Sequence, residues 1–220
     1  MTNPSRTSQD LVEVAKRYRT AAEQGDAVAQ FNFGVCCYEG MDKSKSFQAS
    51  MADGVVWFRK AAEQGYSKAQ CKFGACLFWG LGCQQDKVEA SLWLREAANQ
   101  GDAEAQYQLA ILCYERGEGI PKDYTKAATL CRASAEQGHA LAQATLGRYY
   151  SQGQGVPPNS IEAVKWYYKA AEQGNSGAQH SLALCYLSGK GVTKTYNKHT
   201  VGVYWRKLAQ TQNWFQTHLV

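Results

Sequence analysis

The sequence lacks the features of a membrane-inserted or secreted chain. No stretch approaches about 18 consecutive apolar residues, which excludes a membrane-spanning helix and predicts no membrane insertion. Residues 1–10 are polar and contain no apolar signal-peptide core, so we expect a cytoplasmic protein. Lys and Arg outnumber Asp and Glu by only 24 to 19, an excess too small to indicate a nucleic-acid partner by itself. Because 45% of the residues are apolar and 20% charged, the composition also excludes a largely disordered chain.

Cysteine is plentiful, but the spacings that support cysteine chemistry are missing. The chain has eight cysteines and no Cys-x-x-Cys, which excludes the thioredoxin and zinc-ribbon spacings. The even number leaves a disulfide framework open. Cysteine is also a good small core residue in a reducing compartment, and we expect reduced, mostly buried thiols. Cys71 and Cys76 do not share one face of a helix, so no metal site and no cofactor is predicted.

A five-residue motif recurs along the chain. It occurs as Ala21–Gly25, Ala61–Gly65, Ala97–Gly101, Ser134–Gly138 and Ala170–Gly174. Its last residues, here called the repeat glycines, are spaced by 40, 36, 37 and 36 residues. A period in this range is typical of stacked repeat architectures. The longer first spacing predicts four extra residues in a loop, Met41–Phe47.

Further positions keep a fixed register to the repeat glycines. Alanine follows four residues later, glutamine five, phenylalanine or leucine eight, and glycine or alanine nine. The series Ala105, Leu109, Cys113 places apolar side chains on one face of a helix. A Gly-x-Gly turn such as Gly153–Gly155 then ends this helix, and a second helical pattern such as Asp86–Gln100 follows.

Each repeat therefore predicts a helical hairpin, with a first helix before the Gly-x-Gly turn and a second helix after it. Stacked hairpins bury one another's apolar faces and form an all-α right-handed superhelix of about 11 helices in one domain, 1–220. The expected segments are a capping helix at 8–24 and repeats at 26–65, 66–101, 102–138, 139–174 and 175–213. The expected N-caps are Asp26, Asp102 and Asn175 for first helices, and Asp86 and Asp123 for second helices.

The fourth repeat carries a recognisable family pattern. Ala142, Leu146, Gly147, Tyr150, Gly153, Gly155 and Val156 match A-x-x-x-L-G-x-x-Y-x-x-G-x-G-V, and Ala163, Trp166, Lys169 and Ala170–Gly174 match the segment after it. Over nearly the whole chain the sequence resembles the Sel1-like repeat family, a relative of the tetratricopeptide repeats. The resemblance implies a non-enzymatic adaptor or scaffold for protein partners, often bacterial, with no catalytic residues. A cysteine-rich branch of the family carries disulfides beside the inter-repeat turn, where this chain has no cysteine.

The first helices are expected to line a concave groove. Off their apolar stripe, positions three, seven and about ten residues after each repeat glycine carry mostly polar residues that suit contacts to a protein or an extended peptide. An exposed tryptophan at the end of one first helix would serve as an interface anchor. We expect these partner-binding residues on one continuous surface: Asn32, Lys68, Lys72, Trp79, Gln108, Thr145, Arg148 and Ser181.

Two other functions are left open. One is a hydrolase acting on a cell-wall or β-lactam-like substrate, although the sequence offers no clustered Ser/Lys or Cys/His/Asp group. The other is a binder of an anionic partner such as nucleic acid, through a row of arginines six residues before the repeat glycines: Arg19, Arg59, Arg95 and Arg132. Because Glu23, Glu96 and Glu136 partly neutralise this row, a solvated ridge is the favoured interpretation. A tryptophan column eight residues before the repeat glycines, Trp57, Trp93, Trp166 and Trp205, is expected to pack between helices.

Overall fold

The computed structural model describes residues 4–39 and 47–192, and α-helices account for most of them. The helices are α1 Pro4–Glu23, α2 Ala27–Tyr38, α3 Phe47–Glu63, α4 Ser67–Trp79, α5 Lys87–Asn99, α6 Ala103–Gln108, α7 Tyr124–Glu136, α8 Ala140–Gln152, α9 Ser160–Glu172 and α10 Ser176–Ser188. Helix α6 continues directly as a π-helix, Leu109–Glu115. Within the described residues there is no strand, so the all-α prediction is confirmed. The predicted eleventh helix and Trp205 lie outside these residues.

The helices belong to two compact units that divide after Gln137. In the first unit α2 packs on α3, α4 on α5, and the π-helix on α7. In the second unit α8 packs on α9, and α9 also packs on α10. Each of these pairs joins the two helices of one repeat or the neighbouring helices of two repeats, as the hairpin interpretation requires.

Short polar side chains start the helices where the sequence predicts. Asp26 accepts a hydrogen bond from the backbone N–H of Ala29 at 2.6 Å, and Asn175 accepts one from Ala178 at 2.8 Å. Asp86 caps α5 and Asp123 caps α7 in the same way, and Asp102 caps α6. Because such bonds satisfy N–H groups that have no partner within the helix, each capping residue sets the start of its helix.

The small residue nine positions after the repeat glycine lets the two helices of a repeat approach closely. A Cβ added at Gly147 would lie 2.6 Å from the ring of Tyr167, and one at Gly34 would lie 2.8 Å from the ring of Phe58. In the third repeat the small residue is Ala110, and the second helix carries the smaller Cys131 at the position of Tyr167; both are fully buried. A larger residue on the first helix is therefore matched by a smaller residue on the second helix.

The two glycines of the Gly-x-Gly turn have different structural roles. The first, such as Gly80 with φ of 69°, adopts the left-handed conformation that ends the first helix. The second contacts the start of the preceding repeat's second helix: a Cβ at Gly82 would lie 2.7 Å from the Met51 carbonyl oxygen. Gly119 meets Lys87 in the same way, and Gly191 meets Ser160. The second glycine is thus an inter-repeat contact as well as part of a turn.

The long first spacing is explained by a longer helix. Helix α3 has 17 residues, whereas α5, α7 and α9 have 13 each. The second helix starts seven residues after the first turn glycine in the first repeat, Gly40 to Phe47, as it does in the second repeat, Gly80 to Lys87. The prediction of four extra residues in the loop Met41–Phe47 is therefore wrong, because they form an additional N-terminal turn of α3.

The 37-residue spacing has a different explanation, the π-helix of the third repeat. In this repeat the first turn glycine, Gly117, follows the repeat glycine by one residue more than in the other four. Because a π-helical stretch holds one more residue than the α-helix it replaces, Leu109–Glu115 accommodates the insertion without lengthening a loop.

A row of glutamine pairs ties the first helix of each repeat to the end of its second helix. Each buried glutamine five residues after a repeat glycine accepts a hydrogen bond from the glutamine that precedes the next repeat glycine. These bonds join Gln30 to Gln64, Gln70 to Gln100, Gln106 to Gln137 and Gln143 to Gln173, at 2.7 to 2.9 Å. We call this set the glutamine ladder.

Candidate partner-binding surface

One polar position recurs beside the core in every repeat. The residues seven after the repeat glycines are all polar and half-buried: Asn32, Lys72, Gln108, Thr145 and Ser181. The next residue along each helix belongs to the apolar stripe, and in four of the five repeats it is fully buried, as Phe73 and Leu146 are. Each first helix therefore presents a polar side chain at the edge of its packed face.

In the first unit these side chains already contact neighbours. The ammonium nitrogen of Lys72 lies 4.9 Å from the centre of the Tyr38 ring, which links α4 to α2. Gln108 donates from Nε2 to a carboxylate oxygen of Glu104 at 2.6 Å, while its Oε1 is buried without a hydrogen-bond partner. Lys68, one turn earlier on α4, is exposed.

The tryptophan at the end of α4 is exposed, as expected from the sequence. Trp79 retains 52% of its surface, and its ring meets that of Phe78 edge-on at 5.0 Å. Because Phe78 is fully buried, the exposed ring stands on a rigid base. Trp79 thus has the partial exposure and the support of an interface anchor.

In the second unit the structure brings three predicted residues together. Thr145 and Arg148 on α8 and Ser181 on α10 line one open cleft of about 320 Å³. Arg148 donates from Nη1 to the side-chain oxygen of Gln154 at 2.7 Å, and its guanidinium lies 4.8 Å from the centre of the Tyr149 ring. These contacts fix the position of the only charged residue that lines the cleft.

The wall of this cleft includes a residue that the sequence did not single out. Tyr167 of α9 is buried, and its hydroxyl forms hydrogen bonds with the side chains of Ser181 and Ser151. Burial raises the pKa of Tyr167 above its usual value, while these hydrogen bonds and the nearby charge of Arg148 act in the opposite direction. The hydroxyl therefore stays protonated at neutral pH.

A comparison of columns would have identified this tyrosine. Among the second helices of the other repeats, the residues seven positions before the repeat glycine are Phe58, Leu94 and Cys131, none of which carries a hydroxyl, while the capping helix α1 has a half-buried tyrosine there, Tyr18. Gly177, which also lines the cleft, departs from its column as well, since the other repeats have Val28, Lys68, Glu104 and Leu141 there. Departures from a repeat consensus are the residues to examine for a function beyond the fold.

The arginine row is not a uniform exposed ridge. Arg19 and Arg59 form surface ion pairs with the glutamate four residues later, Glu23 and Glu63, at 2.8 and 2.9 Å. Arg95 differs because Asn99 stands where that glutamate would be, and its half-buried side chain has a buried Nε without a hydrogen-bond partner. The expected outer ridge is therefore neutralised within the helices at Arg19 and Arg59 and partly withdrawn from solvent at Arg95.

The tryptophan column packs within repeats, at the edge of the core. Trp57 meets Phe33 edge-on at 5.3 Å, and Trp93 meets Phe73 at 5.6 Å, so each ring joins the two helices of its own repeat. Both tryptophans are half-buried. The expected packing role is confirmed for these two.

The cysteines are mostly core residues. All eight lie in the described part of the chain and none forms a disulfide. Burial raises the pKa of the Cys76 and Cys113 thiols to about 11, so neither is a thiolate at neutral pH. Among the described residues no three His, Cys, Asp or Glu side chains come together as a metal site would require. No helix there is long and apolar enough to cross a membrane.

Stacked hairpins with these caps and turns define an α-helical repeat protein. The Sel1 repeat matches residues 27–66, 67–102, 103–139, 140–175 and 176–209, and the chain belongs to the Sel1 repeat family. Sel1 repeats typically mediate protein–protein interactions, and the family is generally a non-enzymatic scaffold. No curated protein matches the sequence.

Solved bacterial structures share this fold. The chain is 32% identical to c5321, a protective antigen of uropathogenic Escherichia coli with an SLR fold; the match covers 90% of this chain and 40% of that one, with a TM-score of 0.78. It is 31% identical to a Sel1 repeat protein from Oxalobacter formigenes, covering 93% and 84% of the two chains, with a TM-score of 0.76. The immunity protein Pa5087 from Pseudomonas aeruginosa, 19% identical over 96% of this chain and 80% of that one, shares the fold at a TM-score of 0.52. The chain thus spans well under half of the E. coli protein.

Proposed function

We propose that this protein is a non-enzymatic scaffold of a reducing compartment such as the cytoplasm, and that it holds a protein or extended peptide against its first helices. The observation that carries the proposal is the half-buried polar residue seven positions after every repeat glycine. A position that is polar in all five repeats, directly beside a core residue, provides hydrogen-bonding groups on a rigid support.

Rigidity supports the same function. The glutamine ladder, the caps and the glycine contacts fix each first helix relative to its neighbours within a unit. A pre-ordered surface loses little side-chain and backbone entropy when a flexible peptide binds, which favours affinity. The second helices instead present internally paired charges such as Arg59 with Glu63.

Site-specific photo-crosslinking tests which surface binds. Benzoylphenylalanine is placed at Lys72 or Thr145 on the first helices, and at Thr129 or Lys165, exposed positions on the second helices, as matched controls. We expect the two first-helix positions to crosslink to the same polypeptide in cells, and the controls to crosslink to none. Crosslinks confined to Thr129 and Lys165 would show that the wrong face was chosen.

A further inference from the structure

The cleft of the second unit differs from the rest of the first-helix surface by its charge. Arg148 occupies a position that is apolar in the other repeats, where Val35, Ala75, Ile111 and Leu184 stand. No carboxylate is among the residues that line the cleft. In the first unit, by contrast, Glu104 bonds the polar residue Gln108 on the same helix. The lining of the second unit's cleft therefore has a net positive charge.

The other unusual residues of the cleft add hydroxyl groups around this charge. Tyr167 brings a hydroxyl to a position that holds Phe, Leu or Cys in the second helices of the other repeats, and that hydroxyl bonds Ser181, which also lines the cleft. Thr145 supplies a third hydroxyl. Hydroxyls can donate as well as accept, so a cation surrounded by them is suited to an oxygen anion.

Gly177 leaves space for such a group. Gly177 is the second residue of α10, and glycine is a poorer helix former than alanine, so its presence there calls for a reason. Packing is not the reason, because a Cβ there would meet only the side-chain oxygen of Asn175, at 3.5 Å. Every other repeat fills this position with a larger side chain. The missing side chain leaves space for a ligand on this side of the cleft.

We propose that this cleft binds the carboxylate of an aspartate or glutamate side chain in an extended peptide, with Arg148 as the charged partner and Ser181 and Thr145 as hydroxyl donors. The proposal rests on the proposed scaffold function and adds the chemistry of one subsite. We choose a side chain rather than a chain terminus as the source because the cleft is open rather than enclosed.

The test starts from the full chain and a random dodecapeptide library displayed without a free peptide C-terminus. Selected peptides are synthesised with acetylated and amidated ends, and their affinities are measured by fluorescence anisotropy. We expect a shared Asp or Glu whose change to Asn or Gln weakens binding about tenfold or more, as loss of a charge-assisted hydrogen bond does. Arg148→Gln should weaken binding of the acidic peptide by the same factor. It should also remove the preference for the acid over its amide, so the two changes are coupled rather than additive.

Variants that copy residues of other repeats separate the cleft chemistry from folding. Tyr167→Phe copies Phe58 and removes only the hydroxyl, and Gly177→Leu copies Leu141 and fills the space beside Ser181. We expect the first to weaken binding several-fold and the second to abolish it, with thermal unfolding of both close to that of the parent chain. Lys165→Gln, at an exposed position of the second helix α9, should leave the affinity for the acidic peptide unchanged.

The outcomes distinguish failure of the subsite from failure of the scaffold function. Peptides that bind but do not discriminate Glu from Gln, or that bind Arg148→Gln equally well, overturn the carboxylate subsite and leave the scaffold function standing. Binding that requires a free C-terminus overturns the choice of a side chain. If the library yields no binder, acetyl-Gly-Glu-Gly-amide is titrated to millimolar concentration by NMR. Shifts at Thr145, Arg148 and Ser181 that the Gln peptide does not cause support the subsite, and their absence overturns it. Failure of the scaffold function itself is read separately, from the absence of crosslinks at Lys72 and Thr145.

Discussion

Gln64 donates a hydrogen bond from its Nε2 to the Oε1 of Gln30 at 2.7 Å, across 34 residues of chain. Gln30 in turn donates from its own amide to the carbonyl of Ala22 at 3.2 Å, near the end of the preceding second helix. One buried amide thus ties its own repeat to the end of the repeat before it, using both its donor and its acceptor. The bond explains why both glutamines recur in register, since the buried Gln30 side-chain oxygen would lose this partner without the exposed Gln64.

Loss of one member of the glutamine ladder should destabilise the fold. Gln70→Ala removes the acceptor for Gln100 and the donor for the carbonyl of Ala62, and we expect a loss of about 1–3 kcal/mol in the free energy of unfolding. Urea unfolding followed by circular dichroism measures it. The exposed Gln84→Ala is the control and should change stability by less than about 0.5 kcal/mol. Equal stability of the two variants would contradict a structural role for the ladder.

Two glycines of the second unit should respond to alanine in opposite directions. Gly147→Ala places a methyl group 2.6 Å from the Tyr167 ring, and we expect a loss of about 1–3 kcal/mol from overpacking. Gly177→Ala meets no close neighbour and, in the first turn of α10, should gain less than about 1 kcal/mol from helix propensity. The measurement is the melting temperature of each variant relative to the parent chain, which should fall for Gly147→Ala and rise for Gly177→Ala. Adding Tyr167→Cys to Gly147→Ala, which copies Ala110 and Cys131 of the third repeat, should cost less than the two single losses together.

Deletion of one residue from the π-helix should cost little stability, because this segment holds one residue more than the same segment of the other repeats. Removing Ile111 restores the α-helical spacing of the other repeats, and we expect the free energy of unfolding to stay within about 1 kcal/mol of the parent. Removing Ala75, at the same position of the second repeat, rotates Cys76, Leu77 and Phe78 off the core and should cost more than about 3 kcal/mol. Thermal unfolding of both deletions is the measurement. A greater loss for the Ile111 deletion would refute the insertion account.

Stability should fall in alkaline solution because of the buried thiols. Burial raises the pKa of Cys76 and Cys113 to about 11 from the ordinary value of 9.0, so the folded state keeps these protons after the unfolded state has lost them. Unfolding therefore becomes more favourable as the pH rises from 9 to 11, and this contribution is absent below pH 9. Urea unfolding at several pH values measures the decline, which should be smaller in Cys113→Ala. If the free energy of unfolding of Cys113→Ala fell as steeply with pH as that of the parent chain, other groups would be responsible for the decline.

Local features were predictable because their causes are local. The period, the N-caps at Asp26, Asp86 and Asp123, and the helix-ending glycines depend on residues within about one helical turn of each other. The polar position at Lys72 and Thr145 was predictable too, since helical periodicity alone separates it from the apolar stripe. Register relative to the repeat glycine thus sufficed to find the candidate surface.

The sequence by itself determined the repeat, the hairpin and its polar edge, since these follow from short-range periodicity and backbone preferences. Only the tertiary structure decided which element contains the extra residues of the 40- and 37-residue spacings, because a spacing gives their number and not their position in a helix or a loop. The four extra residues joined α3 and the single extra residue made a π-helix, as neighbouring repeats fix the turns through Gly82 and Gly119. Tertiary packing also placed the Tyr167 hydroxyl against Ser181 and beside Arg148, a meeting of three helices that no single helical pattern contains.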